Sequence, residues 1–129
     1  MGIAQFLQKD DWKKEKHVPV IEIEGTVEKG KAVGIHLSVG KGISHPNTTE
    51  HHIRWFKLFY HANGDKYPYH VGTYQFEAHA ESIEGANKGP VKCEPDVRTT
   101  VLLEKPGQLI ATSYCNIHGL WESSLEFEI

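Results

Sequence analysis

The stretch Val33-Gly34-Ile35-His36-Leu37-Ser38-Val39-Gly40 alternates apolar side chains with small or polar ones at every second position. Because successive side chains of a β-strand point to opposite faces of the sheet, a period of two predicts a half-buried strand. Outward from this stretch, the same alternation occurs at 71–80, 109–115 and 124–129. The sequence therefore predicts a protein built mainly from strands.

Turn-forming residues separate the alternating segments. They lie at 28–30, 63–65, 85–90 and 105–107, and each group contains a glycine. We predict seven strands, near 19–27, 32–40, 52–62, 70–81, 97–104, 108–115 and 121–129, and a short helix around residues 2–8. Short strands at this spacing, without a strong helical segment, are typical of an antiparallel β-sandwich.

Composition excludes several classes of protein. A chain of 129 residues with 39% hydrophobic and 24% charged residues is expected to fold as one domain, 1–129, with its own core. The net charge of −3 and the absence of any long Lys/Arg run argue against nucleic-acid binding. No apolar stretch approaches the ~20 residues of a membrane span, and the N-terminus lacks the apolar core of a signal peptide. We therefore expect a cytoplasmic protein with no membrane partner.

The two cysteines, Cys93 and Cys115, are expected to remain free thiols in such a compartment. Cys115 opens the stretch Cys115-Asn116-Ile117-His118-Gly119. In a tight turn, the two-residue gap lets the thiolate and the imidazole of His118 face one centre. Backbone N–H groups of Asn116 and Ile117 can point at the sulfur and tune it. Many Cys-x-x-His pairs bind nothing, so this motif alone does not decide.

A second cluster of imidazoles lies in His45-Pro46-Asn47-Thr48-Thr49-Glu50-His51-His52. His51 and His52 are adjacent, and on a strand they would face opposite sides, so at most one of them can reach the metal of Cys115. The alternation of apolar and polar residues that follows does not show which of the two histidines faces the metal. The alternative interpretation of this stretch is a polar surface loop with solvated imidazoles.

A third stretch, Glu15-Lys16-His17-Val18-Pro19, places an imidazole just before an apolar run, with a carboxylate and an ammonium beside it. Its alternative interpretation is a solvated charged segment. The remaining histidines of the nine receive no ligand role: His36 and His79 are expected to be solvated on polar faces, and His61 and His70 to flank a turn.

The segments 14–21, 45–53 and 113–122, in this order, closely resemble superoxide reductases of the neelaredoxin type. The resemblance covers nearly the whole chain. The related desulfoferrodoxins carry an additional N-terminal domain with a four-cysteine iron site. Those cysteines are absent from this sequence, so the chain resembles the single-iron form.

The resemblance implies an immunoglobulin-like β-sandwich and one mononuclear non-haem iron per chain, cycling between Fe2+ and Fe3+. Its equatorial ligands would be His17, His45, His51 and His118, and its axial thiolate would be Cys115. Glu15 matches the carboxylate that becomes the sixth ligand when the iron is ferric, and Lys16 matches the exposed lysine beside that position. The implied reaction is the one-electron reduction of superoxide to hydrogen peroxide. A rubredoxin-like electron donor and a homotetramer are implied as well.

The chemistry of the ligand set agrees with iron. Five candidate ligands exceed the four of a structural zinc site. A blue-copper site uses a weak axial ligand, usually methionine, and the only methionine is Met1. Two other function classes remain: a non-catalytic iron electron-transfer or metal-carrier protein, and an immunoglobulin-like interaction domain with incidental histidines.

Overall fold

The computed structural model describes residues 2–129, which form eight strands in two sheets. The strands are β1 (Gln8–Lys9), β2 (Val20–Glu24), β3 (Ala32–Ser38), β4 (Ile53–Ala62), β5 (Tyr69–Gln75), β6 (Asp96–Leu102), β7 (Gly107–Cys115) and β8 (Gly119–Phe127). One sheet has the order β1-β8-β7-β4-β5 and the other the order β2-β3-β6. All the pairings are antiparallel except that of β1 with β8. The predicted immunoglobulin-like β-sandwich is thereby confirmed.

The core lies between the two sheets and follows the predicted alternation. Ile35 and Leu37 of β3 are fully buried, as are Leu109 and Ala111 of β7, while their neighbours in sequence are more exposed. Cys115 continues the inward-facing series of β7 and is also fully buried. The alternation therefore fixes the direction of the cysteine side chain before any metal is considered.

The prediction of elements needs three corrections. The expected helix at 2–8 is only a three-residue 3-10 turn, Ile3–Gln5, with no buried residue to anchor a longer helix. An eighth strand, β1, follows it and was not predicted. The predicted strand 70–81 ends at Gln75, because the chain then leaves the sheet toward Ala80, which has a φ of 59°. The other predicted strands are confirmed within a few residues at each end.

The topology brings three distant segments to one end of the sandwich. β7 and β8 form a hairpin in which Cys115 pairs with Gly119. β4 begins at the same level, because Ile53 pairs with Cys115. The segment before β2 is held there too, since the Ser113 hydroxyl donates to the carbonyl of His17 over 2.9 Å. Among residues 2–129, no helix has the length and apolar character needed to cross a membrane.

Candidate metal centre

Four of the predicted ligands converge at this end of the sandwich. The donor atoms of His17, His45, His51 and Cys115 all lie within 4.8 Å of one another. An ion bound about 2.1 Å from nitrogen and 2.3 Å from sulfur would separate donors on opposite sides by roughly 4.2–4.4 Å. A single ion can therefore contact all four donors after small adjustments.

His118 stands beside this group as a fifth donor. Its Nδ1 lies 3.1 Å from Nε2 of His17, 3.2 Å from Nε2 of His51 and 3.9 Å from Sγ of Cys115. Ligand nitrogens at right angles around one ion would lie roughly 3.0 Å apart. The His118 nitrogen carries at most one hydrogen and cannot donate to both neighbouring rings. A cation between the three nitrogens fits this arrangement better than a hydrogen bond does.

The four imidazoles surround the centre in a square. Neighbouring ring centroids are 4.8 Å apart for His17–His45, 4.8 Å for His45–His51, 5.0 Å for His51–His118 and 4.6 Å for His17–His118. The diagonal from His17 to His51 is longer, at 6.3 Å. Cys115 is fully buried and His118 is exposed. The centre therefore lies at the surface with its sulfur toward the core.

Hydrogen bonds fix which nitrogen of two rings faces the centre. Nδ1 of His17 lies 2.6 Å from Oε1 of Glu15, and Nδ1 of His45 lies 2.6 Å from the carbonyl of Pro46. Both partners accept, so Nδ1 carries the hydrogen and Nε2 keeps a free lone pair. Nε2 of His45 is buried without any hydrogen-bond partner. Such an orphaned acceptor is costly, and a bound cation would satisfy it.

The charge state of these imidazoles suits metal binding. Burial lowers the pKa of His45 to about 4. Burial also lowers the pKa of His17, where the hydrogen bond to Glu15 acts in the opposite direction, and that of His51. The rings are therefore neutral at neutral pH, which is the form that binds a metal. The positive charge of Lys16 contributes to the lowered pKa of all three rings, so its field reaches the centre.

The turn between β7 and β8 supplies the sulfur and the fifth imidazole. Gly119 leaves this turn with a φ of +80°, a left-handed conformation that glycine adopts without strain. The backbone N–H of His118 donates to Sγ of Cys115 over 3.4 Å. The sequence predicts such donors at Asn116 and Ile117. The N–H of Asn116 donates to the carbonyl of His52 over 3.2 Å instead, and a bond from the N–H of Ile117 stays a prediction.

Asn116 joins this turn to the loop that carries His45 and His51. Its Oδ1 accepts from the N–H of His52 over 2.9 Å, and its Nδ2 donates to the carbonyl of Glu50 over 2.9 Å. Thr48 closes the same loop, because its N–H donates to the carbonyl of His51 over 2.9 Å and its hydroxyl accepts from the His51 N–H over 3.0 Å. The loop is thus held by polar contacts rather than by a sheet.

The structure separates His51 from His52. The ring of His52 turns away from the centre, donates from Nδ1 to the carbonyl of Thr48 over 2.8 Å, and stacks on His79 with centroids 3.3 Å apart. His79 is only 3% exposed, so the prediction that it is solvated was wrong. The chain beyond β5 folds back over the loop, where the Thr49 hydroxyl donates to the carbonyl of His79 over 2.6 Å.

Sequence reasoning missed two residues that hold the ligands in place, Ser113 and Trp121. Ser113 fixes the backbone of His17, and the Trp121 ring stacks on the His17 imidazole with centroids 4.9 Å apart. A signal for Ser113 was available, because it lies two residues before Cys115 and must share its inward face. No comparable sequence pattern links Trp121 to His17.

An immunoglobulin-like sandwich with four imidazoles around one centre and a buried cysteine beside them defines a class: an all-β protein with a histidine–cysteine cluster that could bind a metal. More narrowly, the chain belongs to the desulfoferrodoxin family, whose sequence profile, described as Desulfoferrodoxin, matches residues 9–124. The family implies iron as the metal of such a site.

Individual relatives agree with this assignment. A Thermotoga maritima protein, provisionally named a superoxide reductase, shares 55% of its sequence with this chain. Its crystal structure superimposes with a TM-score of 0.96 and covers 99% of this chain and 97% of that one. Neelaredoxin from Megalodesulfovibrio gigas is 48% identical over 96% of this chain and 95% of its own length. The structure of superoxide reductase (neelaredoxin) from Archaeoglobus fulgidus in the reduced form is 48% identical with a TM-score of 0.89, covering 95% of this chain and 98% of that one.

Proposed function

We propose that this protein is a superoxide reductase, an oxidoreductase that converts superoxide to hydrogen peroxide at one iron per chain. The observation that carries the proposal is the square of imidazoles above the buried Cys115 thiol, open to solvent on the side of His118. The names of the relatives support the same activity.

In this proposal His17, His45, His51 and His118 would hold the iron together with Cys115, the buried sulfur ligand. Iron held there would alternate between Fe2+ and Fe3+ and would supply the one electron that, together with two protons, converts superoxide to hydrogen peroxide. As a thiolate, Cys115 would raise the electron density at the metal, as thiolate ligands do in haem enzymes.

Lys16 attracts the substrate in this mechanism. The protein carries a net charge of −3, which repels an anion weakly. The ammonium of Lys16 lies close enough to lower the pKa of three imidazoles of the centre. The same field stabilises an anion there and the negative charge that develops when superoxide is reduced. Lys16 therefore offsets the overall charge where the substrate binds.

Glu15 has two roles that exclude each other. In this structure its Oε1 accepts from Nδ1 of His17 over 2.6 Å and from the N–H of His17 over 3.1 Å. Burial raises the pKa of this carboxyl, but the two hydrogen bonds and the charges of His17 and Lys16 together lower it below its usual value. We propose that Glu15 releases His17 and becomes a ligand in the oxidised protein.

A substitution tests this role of Glu15. A Glu15→Ala variant should keep its iron and change the visible spectrum of the oxidised protein, because one oxidised-state ligand is lost. Metal analysis and absorption spectroscopy check both points. Loss of the iron itself would show that Glu15 holds His17 in place and nothing more.

We further propose that 1–129 is a single domain, that a rubredoxin-like protein is the electron donor, and that the chain works in the cytoplasm as a homotetramer. Free Cys93 and Cys115 agree with a reducing compartment. The donor and the homotetramer rest on the family alone. Light scattering after gel filtration tests the assembly, and a rubredoxin-dependent rate of re-reduction tests the donor.

The decisive experiment is pulse-generated superoxide with the ferrous protein. A superoxide reductase should be oxidised rapidly, with a rate proportional to protein concentration, and should yield hydrogen peroxide without dioxygen. A metal carrier would retain iron and show no fast reaction. An interaction domain with incidental histidines would bind no iron, which metal analysis of the purified protein detects directly.

A further inference from the structure

The side chain of Trp121 touches two candidate ligands that come from opposite ends of the sequence. Its ring stacks on the imidazole of His17, with centroids 4.9 Å apart and planes inclined by 14°. Its indole N–H donates to the backbone carbonyl of His118 over 3.2 Å. The two ligands thus share one neighbour, and Nε2 of His17 lies 3.1 Å from Nδ1 of His118.

The sheet places Trp121 where it can do this. Trp121 pairs directly with Ser113 of β7 and with Gln8 of β1, so it sits in the middle of three strands. Residues directly opposite each other in an antiparallel pair point to the same face. Ser113 on β7 donates to the carbonyl of His17, and Trp121 on β8 stacks on the His17 ring. This cross-strand pair therefore holds both the backbone and the ring of His17.

Both ligands need such external support. His17 lies outside the strands, before β2, and His118 is an exposed residue of the β7–β8 turn. An imidazole in such a position loses rotational freedom when it is fixed, and a packed neighbour reduces that cost at the moment of metal binding. Contacts behind the ligands commonly set ligand orientation in metal sites.

We propose that Trp121 is a positioning residue of the metal centre, and that it sets the orientation of the His17 ring relative to the His118 turn. This inference rests on the proposed function, because it takes both histidines as ligands. The stack restrains rotation of the His17 ring, and the N–H bond restrains the backbone from which the His118 ring projects. Loss of both contacts loosens two of the five ligands together.

A second tryptophan of the same sheet provides the matched control. Trp55 of β4 stacks on Tyr114, with centroids 5.6 Å apart, and has the Lys57 ammonium 4.9 Å from its ring. Among residues 2–129, its ring neighbours are these two residues, and no stacking or side-chain hydrogen bond joins it to a candidate ligand. A Trp55→Phe variant therefore removes an indole from the sheet and leaves the surroundings of the metal unchanged.

The test compares the iron-loaded wild type with Trp121→Phe, Trp121→Leu and Trp55→Phe. Two measurements are made on each: the rate of iron release to a chelator, and the position and width of the thiolate-to-iron absorption band.

Trp121→Leu removes both contacts, and we expect iron release to accelerate about 10-fold or more, the usual scale for a lost contact behind a ligand. Trp121→Phe keeps a stacking ring and loses only the N–H bond, so it should fall between wild type and Trp121→Leu. Trp55→Phe should match the wild type.

The proposal would be overturned if both Trp121 variants release iron at the same rate as Trp55→Phe and show the same absorption band. A tryptophan with only a structural role would give that result. If Trp121→Leu does not fold, Trp121→Phe decides alone: a shifted band and faster release support the proposal, and wild-type values overturn it. Failure of the proposed function looks different, since the wild type itself would then bind no iron or would not react with superoxide.

Discussion

Two groups of histidines lie side by side in this protein, and adjacent residues of the chain belong to different groups. His51 joins the square of imidazoles with its Nε2 3.2 Å from Nδ1 of His118. His52, the next residue, stacks on His79 with planes inclined by 10°. Both groups contain imidazoles that are buried or lie near the surface, but only the square of imidazoles has the features of a metal site.

The difference lies in where the nitrogen lone pairs point. In the square, Nδ1 of His17 and of His45 is taken by an oxygen acceptor, which leaves Nε2 directed at a shared centre beside Cys115. In the stacked pair, parallel rings direct their nitrogens along separate lines, and Nδ1 of His52 is bound to a backbone carbonyl. Convergence of lone pairs beside a thiol, rather than the number of histidines, distinguishes a metal site from a buried polar contact.

The largest effect should come from removing the sulfur. A Cys115→Ser variant replaces a soft ligand with a hydroxyl that is not ionised at neutral pH. We expect loss of the thiolate-to-iron absorption band and a fall of more than about 100-fold in iron affinity, beyond the range for contacts behind a ligand. Cys93→Ser is the matched control, since Cys93 lies outside the cluster. Metal analysis and visible spectra check both variants, and an intact band in Cys115→Ser would refute the assignment.

The comparison of the two histidine groups is tested most directly by truncating neighbours. His51→Ala should reduce iron affinity strongly and change the stability of the metal-free protein little. His52→Ala removes a side chain that is 4% exposed and leaves His79 without its stacking partner. We expect it to lower the free energy of unfolding by about 2–4 kcal/mol and to leave one iron per folded chain.

Urea denaturation of the metal-free variants and iron titration of the folded fractions separate these outcomes. The opposite pattern, with iron lost in His52→Ala and retained in His51→Ala, would exchange the two roles. Equal loss of iron in both would show that the loop acts as one unit, and that the separation of the two groups has no functional meaning.

Most of the fold could be predicted from the sequence because the core follows a period of two. The inward positions of β3 are apolar, those of β7 are apolar except for Ser113, and the structure buries all of them. The short strand Gln8–Lys9 has no such pattern, because both residues are exposed and the pairing depends on β8. The early end of β5 likewise depends on how the following loop packs, which no local pattern records.

The candidate ligands could be named from motifs, but their surroundings could not. Chain geometry alone left His51 and His52 open, and the resemblance chose His51, which the structure places in the square. The partner of His52 is His79, 27 residues away in sequence, and its burial depends on the return of the chain over the loop. The contacts of Trp121 and Asn116 depend on tertiary structure in the same way.

Acid should affect the square more than the stacked pair in the metal-free protein. His45 has a pKa of about 4 when folded and about 6.5 when unfolded. Between these values the unfolded state binds more protons, so the free energy of unfolding is fully retained above about pH 6.5 and falls as the pH decreases toward 4. Burial also lowers the pKa values of His17 and His51 in the square, and that of His79 in the stacked pair, so these rings act in the same direction.

We expect His45 alone to contribute about 2 kcal/mol of this loss, after allowance for solvent screening. Urea denaturation of the metal-free protein measures this loss of unfolding free energy. The range from about pH 7 to about pH 4.5 spans most of the titration of His45. A His45→Gln variant, which cannot titrate, should show a shallower dependence on pH. An unchanged slope would mean that the buried ring does not resist protonation.

The smallest effect should come from the charge at the rim, and it concerns the substrate rather than the metal. Lys16 is half-buried and its charge lowers the pKa of His17, His45 and His51, whereas Lys14 on the same segment is exposed. Lys16→Ala should slow the reaction with superoxide about 2- to 10-fold at low ionic strength, and Lys14→Ala much less. Because salt screens this attraction, the rate of Lys16→Ala should depend less on ionic strength than that of the wild type.

Pulse-generated superoxide at several salt concentrations measures both the rate and its salt dependence, and iron content should be equal in all three proteins. Equal rates and equal salt dependence for the two lysine variants would mean that overall charge, and not a cation placed beside the square, governs the approach of the anion.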